Sequence, residues 1–145
     1  MKQVIYIIKT MSIIYLLLLI GCTTHIDYLY QFHIAGTVVG FKNETPTEKV
    51  EILFVDTGFI PVKGDKKIIH KIGLSGEDGN FDLTFDYWWG YKKTFYTTKP
   101  KETFDLIFKK EGFEEKIISY DSKALPQKDN VIQVGVGKIY LVPKK

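Results

Sequence analysis

The sequence predicts an all-β fold, a two-sheet sandwich of about seven short antiparallel strands. Three observations carry that prediction. Apolar residues recur with a period of two in short runs. Clusters of Gly, Pro, Asn and Asp separate those runs at near-regular spacing. No segment sustains a helical period over an adequate length, and there are no internal repeats.

The elements follow in chain order. Ile34, Gly36 and Val38 alternate with His33, Ala35, Thr37 and Val39 in the first strand. Asn43 to Lys49, holding Pro46, breaks that run, and a second strand follows in which Val50, Ile52 and Phe54 share a face. Gly58 to Asp65 is a loop, and Lys67 to Ser75 is a third strand. Gly76-Glu77-Asp78-Gly79-Asn80 is a turn cluster leading into the clearest strand of the chain. There Phe81, Leu83, Phe85, Tyr87 and Trp89 lie on one face, and Asp82, Thr84, Asp86 and Trp88 on the other. That alternation is what a half-buried antiparallel strand requires. Phe104, Leu106 and Phe108 repeat it before a Glu111-Gly112 turn, and Phe113 to Tyr120 returns as the other arm of the hairpin. Ser122 to Asn130 is a polar loop around Pro126, and Val131 to Val142 is the last strand.

The amino terminus is of a different kind. Lys2 and Lys9 precede a 12-residue uncharged run, Met11 to Cys22, that ends in Leu19-Ile20-Gly21-Cys22. A positive start, a short apolar run and a small-residue cleavage point are the parts of an export signal. The run is shorter than the roughly 20 apolar residues that a membrane span needs. The tetrapeptide resembles the lipobox of bacterial lipoproteins. The resemblance implies cleavage before Cys22, a diacylglyceryl group on its sulfur and an N-acyl chain such as palmitate on its amine. Cys22 is the only cysteine, which suits a modification site and leaves no disulfide for the domain. The organisation expected is a signal peptide over 1–21, an acylated Cys with a short spacer over 22–31, and a sandwich over 32–145. The spacer would hold the domain close to the surface of a bacterial envelope membrane. Thr23 is not the Asp that favours inner-membrane retention, so the outer membrane is expected in a two-membrane cell.

Composition narrows the partners. Hydrophobic residues at 45% and aromatics at 14% support a packed core. Removing Lys2 and Lys9 brings the formal charge from +3 to near +1. All 20 basic residues are Lys, scattered singly and in four adjacent pairs, so neither a basic tract nor an Arg fork is available to read nucleic acid.

A second resemblance covers residues 34 to 142. Ile34-Ala35-Gly36-Thr37-Val38, Val50-Glu51-Ile52, Asp78-Gly79-Asn80-Phe81, the hairpin Leu106 to Phe113 and Ile139-Tyr140-Leu141-Val142-Pro143 resemble the carboxypeptidase regulatory-like, or transthyretin-like, domain. Phe113 stands where that family more often has Tyr, and the segment from Tyr87 to Thr98 is long for it. The resemblance implies a Greek-key sandwich that serves as an accessory or interaction module and has no catalytic residues to carry over. The hydroxyisourate hydrolases of the same fold end in Tyr-Arg-Gly-Ser, a tail that this Arg-free chain lacks. The lipidated, transthyretin-like outer-membrane lipoprotein of type VI secretion shares fold and anchor, which makes a secretion-apparatus lipoprotein a further alternative.

Catalytic and metal patterns are weak. His25, His33 and His70 are scattered without a ligand spacing, and Ser75 lacks the frame of a nucleophile elbow. Asp78, Asn80 and Asp82 have the spacing of the first calcium-loop ligands, but Leu83 and Trp89 occupy the positions for its Gly and Glu. The expectation is therefore no enzyme, no metal and no cofactor. One segment invites recognition: Tyr87 to Tyr96, with six aromatic residues in ten. Trp89 continues the core face, whereas Trp88 shares the face of Asp82 and Asp86. With Tyr91 and Tyr96, these could form a surface for a glycan, a partner protein or the lipid interface. Alternatively, the 91–98 segment covers the sheet and Trp88 packs beneath it.

Overall fold

The computed structural model describes residues 24–58, 69–93 and 102–145, with side chains described for 29–58, 69–88 and 102–145. The segment 1–21 expected as a signal peptide, Cys22, Tyr96, most of the loop expected from Gly58 to Asp65 and the start of the strand expected from Lys67 lie outside these residues, as do the side chains of Trp89 and Tyr91. Among the described residues, eight strands are formed: β1 (Thr24–Gly40), β2 (Glu51–Asp56), β3 (Ile69–Leu74), β4 (Asn80–Lys93), β5 (Thr103–Lys109), β6 (Lys116–Asp121), β7 (Gln127–Lys128) and β8 (Val131–Leu141). Two compact units are distinguished. Of the first, Met1–Asp27 with Gly90–Lys99, the structure describes only the ends of β1 and β4. The second, Tyr28–Trp89 with Pro100–Lys145, contains everything that follows.

That unit is built on two four-stranded sheets, ordered β4-β1-β8-β7 and β3-β2-β5-β6. The expected all-β, two-sheet architecture is thus present, with one departure in its pairing. β2–β3, β2–β5, β5–β6 and β7–β8 are antiparallel, but β1 and β8 run parallel from Gln31↔Val131 to Gly40↔Leu141. The first and last long strands need no tight turn between them, so nothing obliges them to run in opposite directions.

The inward rows form the core. Phe32, Ile34 and Val38 of β1, Ile52 and Phe54 of β2, Phe81 of β4, Phe104, Leu106 and Phe108 of β5, and Ile132, Val134, Ile139 and Leu141 of β8 are all buried. Apart from Phe32 and the β8 residues, these are alternating positions read from the sequence. In β8, however, the inward set passes from even to odd numbers. The β1–β8 register shifts between Ala35 and Gly36, because Ala35 pairs with Gly135 and Gly36 with Gly137. Val136 is the extra residue of this bulge, and Gly137 takes a φ of 71°. Glycine adopts that conformation without steric cost, so one residue can be inserted and the parity reset.

Three boundaries differ from the expectation. β1 starts at Thr24, so most of the segment read as a spacer over 22–31 is strand, and its Gln31 pairs with Val131 of β8. The return strand begins at Lys116 rather than Phe113, which instead bridges Pro143. Within the loop expected over 122–130, a 3-10 turn at Ser122–Ala124 precedes β7, which hairpins onto β8. Asp129 and Asn130 have φ of 52° and 65°, the pair of left-handed residues that a tight hairpin uses.

The Gly76–Asn80 cluster is a turn, as expected. The Gly76 and Gly79 amides donate to the Asn80 and Gly76 carbonyls at 2.8 and 3.0 Å. Gly79 has a φ of 74°, and a Cβ there would overlap the Val38 carbonyl oxygen. Gly79→Ala is therefore expected to destabilise the domain by about 1–3 kcal/mol. Gly135→Ala, at a site with nothing within 4 Å, should stay within about 0.5 kcal/mol of the parent in urea unfolding. Equal midpoints for the two variants would refute this account of the turn.

Candidate functional site

The described outward positions of β1, β4 and β8 compose a largely polar face that includes one exposed apolar row. Three side-chain contacts run across β1 and β4. The Gln31 amide donates to Asp86 Oδ1 at 3.0 Å, His33 Nε2 meets Asp82 Oδ1 at 2.7 Å, and Thr37 Oγ1 donates to Asn80 Oδ1 at 2.6 Å. The partner number falls as the β1 number rises, so these neighbouring strands are antiparallel. The register continued from Gln31 and Asp86 sets Leu29 beside Trp88, and both are exposed, by 53% and 63%.

His33 is the hub of the face. Its Nδ1 lies 2.8 Å from Gln133 Oε1 of β8, so the ring spans three strands. Both ring nitrogens face oxygen acceptors, and only the doubly protonated ring can donate to both. The bonds to Gln133 and then to Asp82 accordingly raise the His33 pKa above its ordinary 6.5.

The expected site residues divide as follows. Asp82 and Asp86 lie on this face, each held by a β1 side chain, and Trp88 stands in solvent rather than beneath a covering segment. Tyr91 belongs to β4 by its backbone. Gln31, His33 and Gln133 complete the surface, and no sequence motif marked them. Their shared face appears only when β1, β4 and β8 are aligned side by side.

The spacings suggestive of calcium or nucleophile chemistry resolve into structural roles. Both Asp78 carboxylate oxygens bond to Asn80, at 3.0 Å to its amide and 2.7 Å to its side chain, which holds the Asp78 carboxyl below its usual range. Asp82 turns to His33 instead. The buried Ser75 hydroxyl accepts from the Val50 amide at 3.0 Å and donates to the Thr47 carbonyl at 2.8 Å. His70 packs on Tyr87, with ring centroids 5.4 Å apart. Among the described residues, no three His, Cys, Asp or Glu side chains are grouped to hold a metal ion.

Two buried carboxylates escaped the sequence reading. Tyr30 of β1 donates to Glu102 Oε2 at 2.9 Å, and Tyr87 of β4 donates to Asp56 Oδ2 at 3.0 Å. Each bond crosses from one sheet to the other at the same end of the sandwich. Burial, then the Asp56 charge, pushes the Tyr87 hydroxyl far above its ordinary pKa, so it stays a donor. A signal was present: Asp56 and Glu102 continue the inward rows Ile52-Phe54 and Phe104-Leu106-Phe108. At the opposite end of the β2–β5 pair lies an open groove of about 530 Å³, lined by residues including Lys49, Lys110, Phe113 and Lys144. Part of its rim is closed by the Lys109–Glu115 ion pair at 3.1 Å.

No protein-family model matches the chain, and no curated protein matches it. Among solved structures, the chain is similar to a 9R-lipoxygenase from Cyanothece at 12% identity and a TM-score of 0.33, over 76% of this chain and 16% of that one. A similarity of that size carries no inference about activity. Among the described residues, no helix is long and apolar enough to cross a membrane.

The His33 bridge has a pH signature. Its folded pKa is raised from 6.5, so its stabilisation is fully present below 6.5 and is lost as pH rises through the folded value. The parent should lose stability over that window relative to His33→Gln. Unfolding midpoints measured across the window test this, and parallel pH curves for the two proteins would refute it.

Proposed function

We propose that this protein is a lipid-anchored lipoprotein of a bacterial envelope. Its transthyretin-like, Greek-key sandwich acts there as a non-catalytic interaction or structural module. The observation that carries the module reading is the outer face of β4, β1 and β8, where an exposed Trp88 borders a lattice of paired side chains. Gln31–Asp86, His33–Asp82–Gln133 and Thr37–Asn80 bind one another across strands. Side chains fixed in this way present a rigid surface, and with both nitrogens engaged His33 has no free position for proton transfer. The anchor reading rests on the Leu19-Ile20-Gly21-Cys22 tetrapeptide and the charge pattern before it. The partner is an envelope protein in this reading, with a place in a secretion apparatus as one form of it.

Cys22→Ala should move the protein from the membrane fraction to the soluble fraction of fractionated cells. Persistence in membranes after a high-salt wash would overturn the lipoprotein assignment.

A glycan-binding surface lipoprotein is the second reading. It is favoured by the exposed Trp88 ring in the same strand as Asp82 and Asp86, with the Tyr87–Tyr96 segment, including Tyr91 and Tyr96, as its platform. Carbohydrates stack on such rings while neighbouring polar groups bind hydroxyls. A broad glycan panel that leaves tryptophan emission unchanged removes this reading.

A further inference from the structure

Among its described side chains, the outer face of β1 and β4 carries one exposed apolar row beside polar ones. Its first row is Leu29 with Trp88, both exposed; the next contact is Gln31–Asp86, then His33–Asp82, and Thr37–Asn80 ends it. Leu29 and Trp88 are the exposed large apolar residues among the described side chains of these two strands. Cys22 precedes Leu29 by seven residues in the chain, which limits their separation to roughly 25 Å even when fully extended. Along the chain, the apolar row thus lies on the side of the polar rows toward the tetrapeptide read as an acylation site.

From the exposure of this pair and its short chain separation from Cys22 we infer that Leu29 and Trp88 form an interfacial foot that rests in the headgroup layer of the membrane holding the anchor. The inference depends on acylation of Cys22. Trp is suited to that layer because its ring is apolar and its indole N–H seeks a polar partner, and a neighbouring Leu supplies apolar burial. An acyl anchor alone leaves a domain free to tumble on its tether. A second, weak contact within reach of the tether is strengthened by the high local concentration of lipid surface. The foot would orient the sandwich with its polar rows and His33 held away from the bilayer. A soluble partner would not require the apolar row to lie so close to Cys22 along the chain, so the lipid surface is the occupant that the placement favours.

The test uses the full acylated protein, purified from membranes and reconstituted on phosphatidylcholine vesicles with or without bromine on the acyl chains. The emission of Trp88 is isolated as the difference between the parent and Trp88→Phe. Bromine should quench it by about half or more if the ring lies at the interface. Leu29→Asp should abolish the quenching while the protein still floats with the vesicles through Cys22. Equal Trp88 emission on both kinds of vesicle, with the protein afloat, overturns the foot but leaves the anchor standing. A parent protein that fails to float overturns the anchor and the foot together.

Discussion

The contact on which the rest of the sandwich depends is the packing of three phenylalanines between the sheets. Phe54 and Phe104 stack at 4.9 Å, and Phe32 meets Phe104 at 5.1 Å and Phe54 at 5.5 Å, all three without solvent exposure. Phe32 belongs to β1 of one sheet, whereas Phe54 and Phe104 belong to the paired strands β2 and β5 of the other. The triad therefore fixes how the sheets face each other, not merely how much surface they bury. Truncation of a ring at such a site costs about 3–5 kcal/mol, a large share of the stability of one domain. With no cysteine left to form a disulfide if Cys22 is acylated, this packing has no covalent support.

The same triad sets the context of the buried acids. Asp56 follows Phe54 by two residues and Glu102 precedes Phe104 by two, so both carboxyl groups are carried inward by the parity that buries the rings. A carboxyl group in that position is costly unless donors meet it. Tyr87 and Tyr30 reach across from the opposite sheet to do so. Each extends an aromatic body along the core, Tyr87 against Phe54 at 4.9 Å and Tyr30 near Phe32 at 6.4 Å, and delivers a hydroxyl at its tip. Polar bonds of this kind specify register, since a slip of one residue would send tyrosine and carboxyl to opposite faces.

On the outer side, chemistry and geometry combine differently. β1 is central in its sheet, between β4 and β8, and its outward residues can bond to both neighbours at once. His33 does so, and its raised pKa makes the link between three strands responsive to pH. Among the described outward side chains of β1 and β4, Leu29 and Trp88 are the exposed large apolar ones. The paired polar side chains of this face thus stand beside an exposed indole ring.

The sequence by itself determined the strand content, the turn at Gly76–Asn80 and the inward rows of β2, β4 and β5, because alternation and turn chemistry are local properties. It also placed Asp82, Asp86 and Trp88 on one outward face, since parity within a single strand decides that. Three things were not local. The parallel pairing of β1 with β8 joins residues about a hundred positions apart, and no periodicity in either strand encodes its neighbour. The bulge at Val136-Gly137 is visible only once a register exists to be shifted. The grouping of Gln31, His33 and Gln133 with those aspartates, and the tyrosine–carboxylate bonds between the sheets, arise from packing that brings separate strands side by side. What each strand presents was written in its own residues; which strand meets which was decided by how the sheets bury their aromatic rows.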